Sequence, residues 1–289
     1  MKNILTGHSS FYLRTGWIKK GIEYVKFDNK ENIFSKSNIG AIDFLGIGSV
    51  MVQSLKFWLE LLDIIEKKDK EYFPKRYIEE ILEHDPYLEN KNILWLLHIY
   101  IMERDSKEEK AVLWNLLLEN KKINAFTEEN ARKILEIYLK ENNLGVSERT
   151  IKDSIGVFIK TYFNEKDNNL DPEDNLFSPF IKLNYLLRNE EGIYYFRNID
   201  GKELSEYIIL YLLCRHTNFY EKKSITINEL YEYVNGIIRM RFLEFTKLLN
   251  KLEERGIISL DRAGGLNNIK IVKEIEEKMI FKRILESEK

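Results

Sequence analysis

At 289 residues, with 44% hydrophobic and 32% charged side chains, the chain is long enough for a sizeable core and about two domains, which excludes a small disulfide-stapled scaffold. A formal net charge of -2 gives no global basic excess, so any contact with nucleic acid has to come from local patches. The single cysteine, Cys214, forbids a disulfide within the chain and fits a reducing, cytoplasmic setting, while the longest apolar run, Tyr207 to Cys214, is far below the roughly 18 residues of a membrane span.

Only 4 prolines and 14 glycines interrupt the chain, and apolar residues recur mostly at helical spacing. The first 26 residues hold five basic side chains, Lys2, Arg14, Lys19, Lys20 and Lys26, against one acid, Glu23. Phe11, Tyr12 and Trp17 are interleaved with them, as phosphate-binding and base-stacking surfaces require. The competing reading is a first helix with Trp17, Ile18 and Val25 in the core and lysines in solvent. His8 suits a general base or a phosphate contact, although a lone histidine near a loop is more often a hydrogen-bonded structural residue.

The next stretch, "LGIGSVMVQSLKFWLELLDII", opens with Gly46 and Gly48. A dinucleotide loop needs a third glycine three residues on, and a Walker loop needs Gly-Lys-Ser/Thr; both are missing. A turn explains more residues. From Met51 a helix places Leu55, Trp58 and Leu62 on one face with Val52 and Leu59 beside them, and Ser49, Gln53, Lys56 and Glu60 opposite. Short helix, glycine turn, helix and the hairpin expected in "IIEKKDKEYF" are the parts of a winged helix-turn-helix. Ser49, Gln53 and Lys56 then meet bases or phosphates, unless they are the solvated face of a packing helix.

Asp85-Pro86 reads as an N-cap and first helical residue, starting a helix that is apolar nearly all round from Ile93 to Ile101 and so buried. Further helices are predicted over 111–118, 128–140 and 148–162. Residues 164–175 are polar and acidic, a linker composition. A strand at "GIYYF" and a helix from about Lys202 to Arg215 follow.

The C-terminal part repeats the earlier pattern. "INELYEYV" is a short helix, Asn235-Gly236 a turn signal, and the next helix carries Ile238, Phe242, Phe245, Leu249 and Leu252 on one stripe. "IISLDRAGGLNNIKIV" reads as strand, Gly-Gly turn and strand. Arg239, Leu243, Lys247 and Asn250 fall opposite the stripe, with Arg241 near the helix start and Arg262 on the hairpin. They suit a second DNA-contacting helix, or a winged helix that packs only on protein, since Glu244, Glu253 and Glu254 dilute the charge.

The fold class expected is therefore mainly α with small β-wings, with winged helix-turn-helix units at the N- and C-terminal ends of a helical middle region. The boundaries expected are 1–84 for the N-terminal DNA-binding domain, 85–175 for the helical middle domain and acidic linker, and 176–289 for the C-terminal domain.

The stretches "GHSSFYLRTGWIKKG", "LGIGSVMVQSLKFW", "DPYLENKNILWLLH", "SPF" at 178–180 and "AGGLNNI" at 263–269 together resemble a bacterial family of unknown function that includes SspB-type proteins of DNA phosphorothioation and phage-defence gene clusters. That resemblance implies a DNA-associated protein, with SspB-type members nicking DNA during backbone sulfur modification. Family members often start the first recognition helix with a Gly-Lys-Asn type sequence, where this chain has Gly48, Ser49 and Val50. No family catalytic residue can be placed on this chain.

A metal-dependent nuclease needs clustered carboxylates around one or two divalent ions, Mg or Mn for a nickase. No Asp with a distant Glu-x-Lys stands out. Asp85 is better explained as a cap than as a ligand beside His84, and Cys214 and His216 supply only two of four zinc ligands. The partners expected are double-stranded DNA, other proteins of the modification system and a second copy of the chain, with no membrane. A transcriptional regulator that does not cut DNA and a protein-interaction scaffold are the alternatives.

Overall fold

The computed structural model describes residues 5–28, 32–108, 111–119, 123–165, 177–216, 224–261, 267–273 and 276–287. The chain is mainly helical with small antiparallel sheets, and it divides into two compact units, residues 1–89 with 97–196 and residues 90–96 with 197–289.

The first unit begins with α1 (Trp17–Phe27), α2 (Ile39–Leu45) and α3 (Ser49–Leu61). Helix α1 buries Trp17, Ile18, Ile22 and Val25, the face expected from their spacing. The Asn38 side chain caps α2 by accepting from Ala41 N. After Gly46 and Gly48 the chain turns, and α3 leaves at 77° to α2. Val52, Leu55, Trp58, Leu59 and Leu62 are fully buried, so the apolar face read from the sequence is the packed one.

The expected hairpin follows as β1 (Ile65–Lys68) and β2 (Glu71–Pro74), paired antiparallel from Ile65↔Pro74 to Lys68↔Glu71, and then α4 (Arg76–His84). Asp85 and Pro86 do not start the next helix. Asp85 closes α4, and its Oδ1 accepts from Glu89 N at 2.8 Å in a turn of its own. The cap of α5 (Lys91–Glu108) is Asn90, whose Oδ1 accepts from Asn92 N at 2.8 Å.

A short α6 (Val112–Trp114) runs into a π-helical turn, Asn115–Glu119. Strand β3 (Ala125–Phe126), α7 (Glu128–Glu141) and α8 (Glu148–Tyr162) follow, the two helices capped by Thr127 with Asn130 and by Ser147. The predicted acidic linker lies largely outside the described residues. A 3-10 turn, Pro179–Leu183, then leads to β4 (Leu186–Arg188) and β5 (Tyr194–Phe196), and the sheet order is β3-β5-β4.

Trp114, Phe126, Phe158, Tyr162, Phe180 and Tyr185 form an aromatic core in this unit. His98 of α5 is fully buried there, with Nδ1 2.7 Å from the Tyr162 hydroxyl, which also accepts from Trp114 Nε1 at 3.1 Å. This is the structural reading of an isolated histidine.

The second unit contains α9 (Glu206–Arg215), β6 (Ile225–Thr226), α10 (Ile227–Ile237), α11 (Phe242–Glu254), β7 (Ile258–Asp261), β8 (Asn268–Ile271) and α12 (Glu277–Glu286). Helix α9 starts at its Ser205 cap, later than the predicted Lys202. Thr226 and Glu229 form a reciprocal capping box that starts α10, and β6-β8-β7 is an antiparallel sheet.

Asn235-Gly236 is not the turn. Both residues lie within α10, and the Asn235 side chain accepts from Met240 N at 3.1 Å beyond the helix. A polar side chain that bonds the following backbone thus organises the turn from within the helix. Asn92 is also part of this unit. It is 3% exposed, its Oδ1 accepts from Ser205 N at 2.8 Å and its Nδ2 donates to Ser287 O at 2.9 Å.

Among the described residues no single helix is long and apolar enough to cross a membrane.

Candidate nucleic-acid interface

The two glycines at the turn between α2 and α3 play different parts. Gly46 closes α2 in the left-handed region, at φ 65, whereas Gly48 is extended, at φ -65. A Cβ at either would meet nothing within 4 Å, so the turn is open. No side chain caps α3, and Val50 in its first turn is 45% exposed. Ser49 is half-buried beside it.

Gln53 does not present its amide to solvent. It is half-buried and Nε2 donates to the Phe34 carbonyl, because the loop ahead of α2 packs along that side of α3. Lys56 is half-buried, with Nζ 5.4 Å from the Tyr72 ring centre and 3.7 Å from Glu60. Burial alone lowers its pKa, but the Tyr72 hydroxyl and Glu60 outweigh that and raise it, so the group stays charged.

The basic N-terminal stretch splits by environment. Lys20 is exposed and its Nζ lies 3.5 Å from the Leu45 carbonyl, at the rim of the open turn. Lys19 sets Nζ 5.6 Å from the centre of the exposed Tyr87 ring. The Arg14 guanidinium lies 5.8, 5.9 and 5.7 Å from the rings of Phe11, Tyr12 and Trp17, and its buried Nε has no hydrogen-bond partner among the described residues.

His8, by contrast, is 3% exposed and reaches no surface. Its Nδ1 accepts from Ser10 N at 3.3 Å, which places the proton of the neutral ring on Nε2, and Phe57 meets the ring edge-on at 5.9 Å. Burial lowers its pKa to about 4, against an opposing pull from Asp153. A neutral, buried imidazole contributes no charge to a phosphate contact.

The hairpin adds cations that the sequence reading passed over. Lys67, Lys68 and Lys70 are exposed at its tip, interleaved with Glu66, Asp69 and Glu71. Lys68 pairs with Glu66 at 2.6 Å, and Lys67 lies 5.8 Å from the Tyr72 ring centre. The lysine-rich "EKKDK" was the available signal, masked by its own acids.

In the second unit Arg239 is 6% exposed, not outward. It precedes α11 on an extended segment, its carbonyl accepts from Ile199 N at 2.7 Å, and helical phase therefore does not govern it. Arg241, just before α11, is exposed. Lys247 is exposed but lies 2.6 Å from Glu244, whose other oxygen accepts from Gly201 N at 3.1 Å. Phe242 and Leu243 at the start of α11 are 43% and 64% exposed. Arg262 lies outside the described residues.

Burial raises the Cys214 thiol to about 11, so it is protonated near neutral pH. Among the described residues no three His, Cys, Asp or Glu side chains converge as a metal site. The described residues therefore do not fit a divalent ion.

These features define a mainly helical protein with small antiparallel sheets and an open turn between α2 and α3. The chain belongs to the family described as protein of unknown function (DUF4007), whose model matches residues 5–287. No curated protein matches it. Two solved structures are similar in fold. An SspB crystal structure has a TM-score of 0.76 at 20% identity, covering 97% of this chain and 85% of that one. A magnesium ion-bound SspB structure has 0.76 at 19% identity, covering 99% and 89%.

Proposed function

We propose that this protein binds double-stranded DNA, in a DNA phosphorothioation and phage-defence setting like that implied by its SspB resemblance. The carrying observation is the unobstructed turn between α2 and α3, with Lys20 at its rim and the β1-β2 hairpin next in the chain. In this reading the first unit holds a winged helix-turn-helix. The start of α3, with Ser49, and the cations Lys19, Lys20 and Arg14 meet the backbone, and Lys67, Lys68 and Lys70 supply the wing. Lys56 adds a fixed positive charge, while Gln53 braces α3.

The second unit repeats helix, turn, helix and hairpin, and Arg241 and Lys247 are its cations. Exposed Phe242 and Leu243 beside the Lys247–Glu244 pair favour a protein contact for α11. Other proteins of the modification system are the partners that reading supplies.

Anisotropy titration of a labelled duplex at several salt concentrations tests DNA binding. The affinity should fall steeply with salt, and Lys20→Glu combined with Lys67→Glu should weaken it by roughly tenfold or more. Absence of binding at about 50 mM salt overturns the reading. Strand nicking would need a bound Mg or Mn ion, and incubating supercoiled plasmid with either ion tests it separately. Metal-dependent relaxed circles support a nickase; a footprint on intact DNA supports a regulator.

A further inference from the structure

We propose that Tyr12 and Arg14, with Lys19 and Tyr87, form a site for the unpaired nucleotides of a DNA strand, with phosphates on the two cations and bases on the two tyrosines. The inference rests on the DNA reading above and names the form of DNA that this part of the first unit takes.

Arg14 is half-buried, yet among the described residues it makes no ion pair and no hydrogen bond, and its Nε is buried. Arg197 and Arg215 are half-buried too, and each has an acid, Glu203 at 2.5 Å and Glu277 at 3.6 Å. Withdrawing a guanidinium from water without an acceptor is costly, so Arg14 is set for an anion from outside the chain. Its own stretch supplies none, since the first acid in the sequence is Glu23.

The rings around Arg14 select the anion. Phe11 and Tyr12, both only half-buried, have their centres 5.8 and 5.9 Å from the guanidinium. An intact duplex offers phosphates but keeps its base faces inside the stack, and a protein carboxylate has no face to stack. An unpaired nucleotide brings both charge and face. Lys19 repeats the combination: it has no ion pair among the described residues, and its Nζ lies 5.6 Å from the centre of the Tyr87 ring, which is 62% exposed. Asp85, two residues before Tyr87, has its carboxylate engaged by Glu89 N. Thr15, Gly16, Lys19 and Tyr87 line one small groove, so the chain that leaves Arg14 leads directly to the second pair. A Cβ on Gly16 would meet nothing within 4 Å, which leaves the way between the two pairs open.

The segment is set before any ligand arrives. Ser9 and Ser10 both lie in the left-handed region, at φ 48 and 64, a strained conformation that Phe11 N secures by donating to the His8 carbonyl at 2.8 Å. At the other end Thr15 donates twice to the Phe177 carbonyl, from N at 2.9 Å and from Oγ1 at 2.7 Å. Holding both ends lowers the ordering cost of binding.

Anisotropy of an end-labelled oligothymidylate of about 15 nucleotides, with a continuous duplex as the second probe, tests the site on the full chain. The oligothymidylate should bind, and Tyr12→Ala and Tyr87→Ala should each weaken it by roughly fivefold or more, while Tyr12→Trp, which keeps a stacking face, should not. The alanine variants should weaken duplex binding far less, so the ratio of the two affinities is the readout. Thermal midpoints check that each variant is folded. Duplex binding without oligothymidylate binding, oligothymidylate binding that both alanine variants keep, or equal weakening on both probes overturns this inference and leaves the DNA reading standing. Oligothymidylate binding that the alanines weaken, without any duplex binding, supports the site and overturns the duplex reading; binding of neither probe overturns both. Thymidine monophosphate should displace the strand only weakly, and displacement at equal nucleotide concentration overturns a strand as the ligand.

Discussion

The Trp58 indole Nε1 donates to the Phe11 carbonyl at 3.0 Å, and Ser54 Oγ donates to the same oxygen at 3.3 Å. Through these two bonds α3 holds the segment ahead of α1, and with it Arg14 and its aromatic neighbours. Trp58→Phe keeps most of the apolar volume but removes the stronger donor from a buried site. It should cost about 1 to 2 kcal/mol in a urea titration, and an unchanged midpoint would show that the clasp carries no stability.

His8 makes stability depend on pH. Between its ordinary 6.5 and about 4, the unfolded chain takes up a proton that the folded chain refuses. Stability from this residue is full above pH 6.5, declines as pH falls through that window, and levels off below it. The total loss is roughly 3 kcal/mol. His8→Asn keeps an acceptor for Ser10 N but cannot be protonated, so urea midpoints between pH 7 and 4 should decline less for this variant than for the wild type.

The two turn glycines should respond differently. Gly46→Ala forces a side chain into the left-handed region and should cost about 1 kcal/mol. Gly48→Ala has an allowed φ and open space, and should change stability by less than about 0.5 kcal/mol. Equal thermal midpoints for the two variants would refute this asymmetry. If the turn meets DNA, Gly48→Ala should still lower affinity, by crowding the approach.

Tyr162 offers a test within the core. Tyr162→Phe removes the acceptor of the Trp114 indole and the partner of His98 Nδ1 in a fully buried place. The cost should be about 2 to 3 kcal/mol, measured by denaturation. Burial holds the Tyr162 hydroxyl well above its ordinary pKa of 10.0, so this loss should not vary with pH across the neutral range.

Periodicity revealed the buried faces of α1 and α3, because a helix repeats its burial every 3.6 residues whatever its partner. The β1-β2 hairpin was legible from its local turn. Side chains that bond backbone out of register were not. Asn235 reaches past its helix to Met240, and Asp85 serves a turn where a cap was expected. The candidate site was legible as a basic, aromatic stretch around an open turn. Its accessibility was not, since burial of His8 and engagement of Gln53 depend on Phe57 and Phe34, distant residues brought close only by folding. Gly7 shows the same limit, because a Cβ there would lie 2.3 Å from the Phe57 ring.

Asn92 sets an order of assembly during synthesis. It leaves the ribosome more than a hundred residues before Ser205 and almost two hundred before Ser287, the partners that satisfy its buried amide. Meanwhile the first unit can complete itself with residue 196. The nascent chain therefore carries a short stretch, 90–96, whose own unit is completed only by residues made later. A truncation before Ser287 leaves that amide without its carbonyl acceptor, so a fault at the end of α12 is felt at α5, far earlier in the chain.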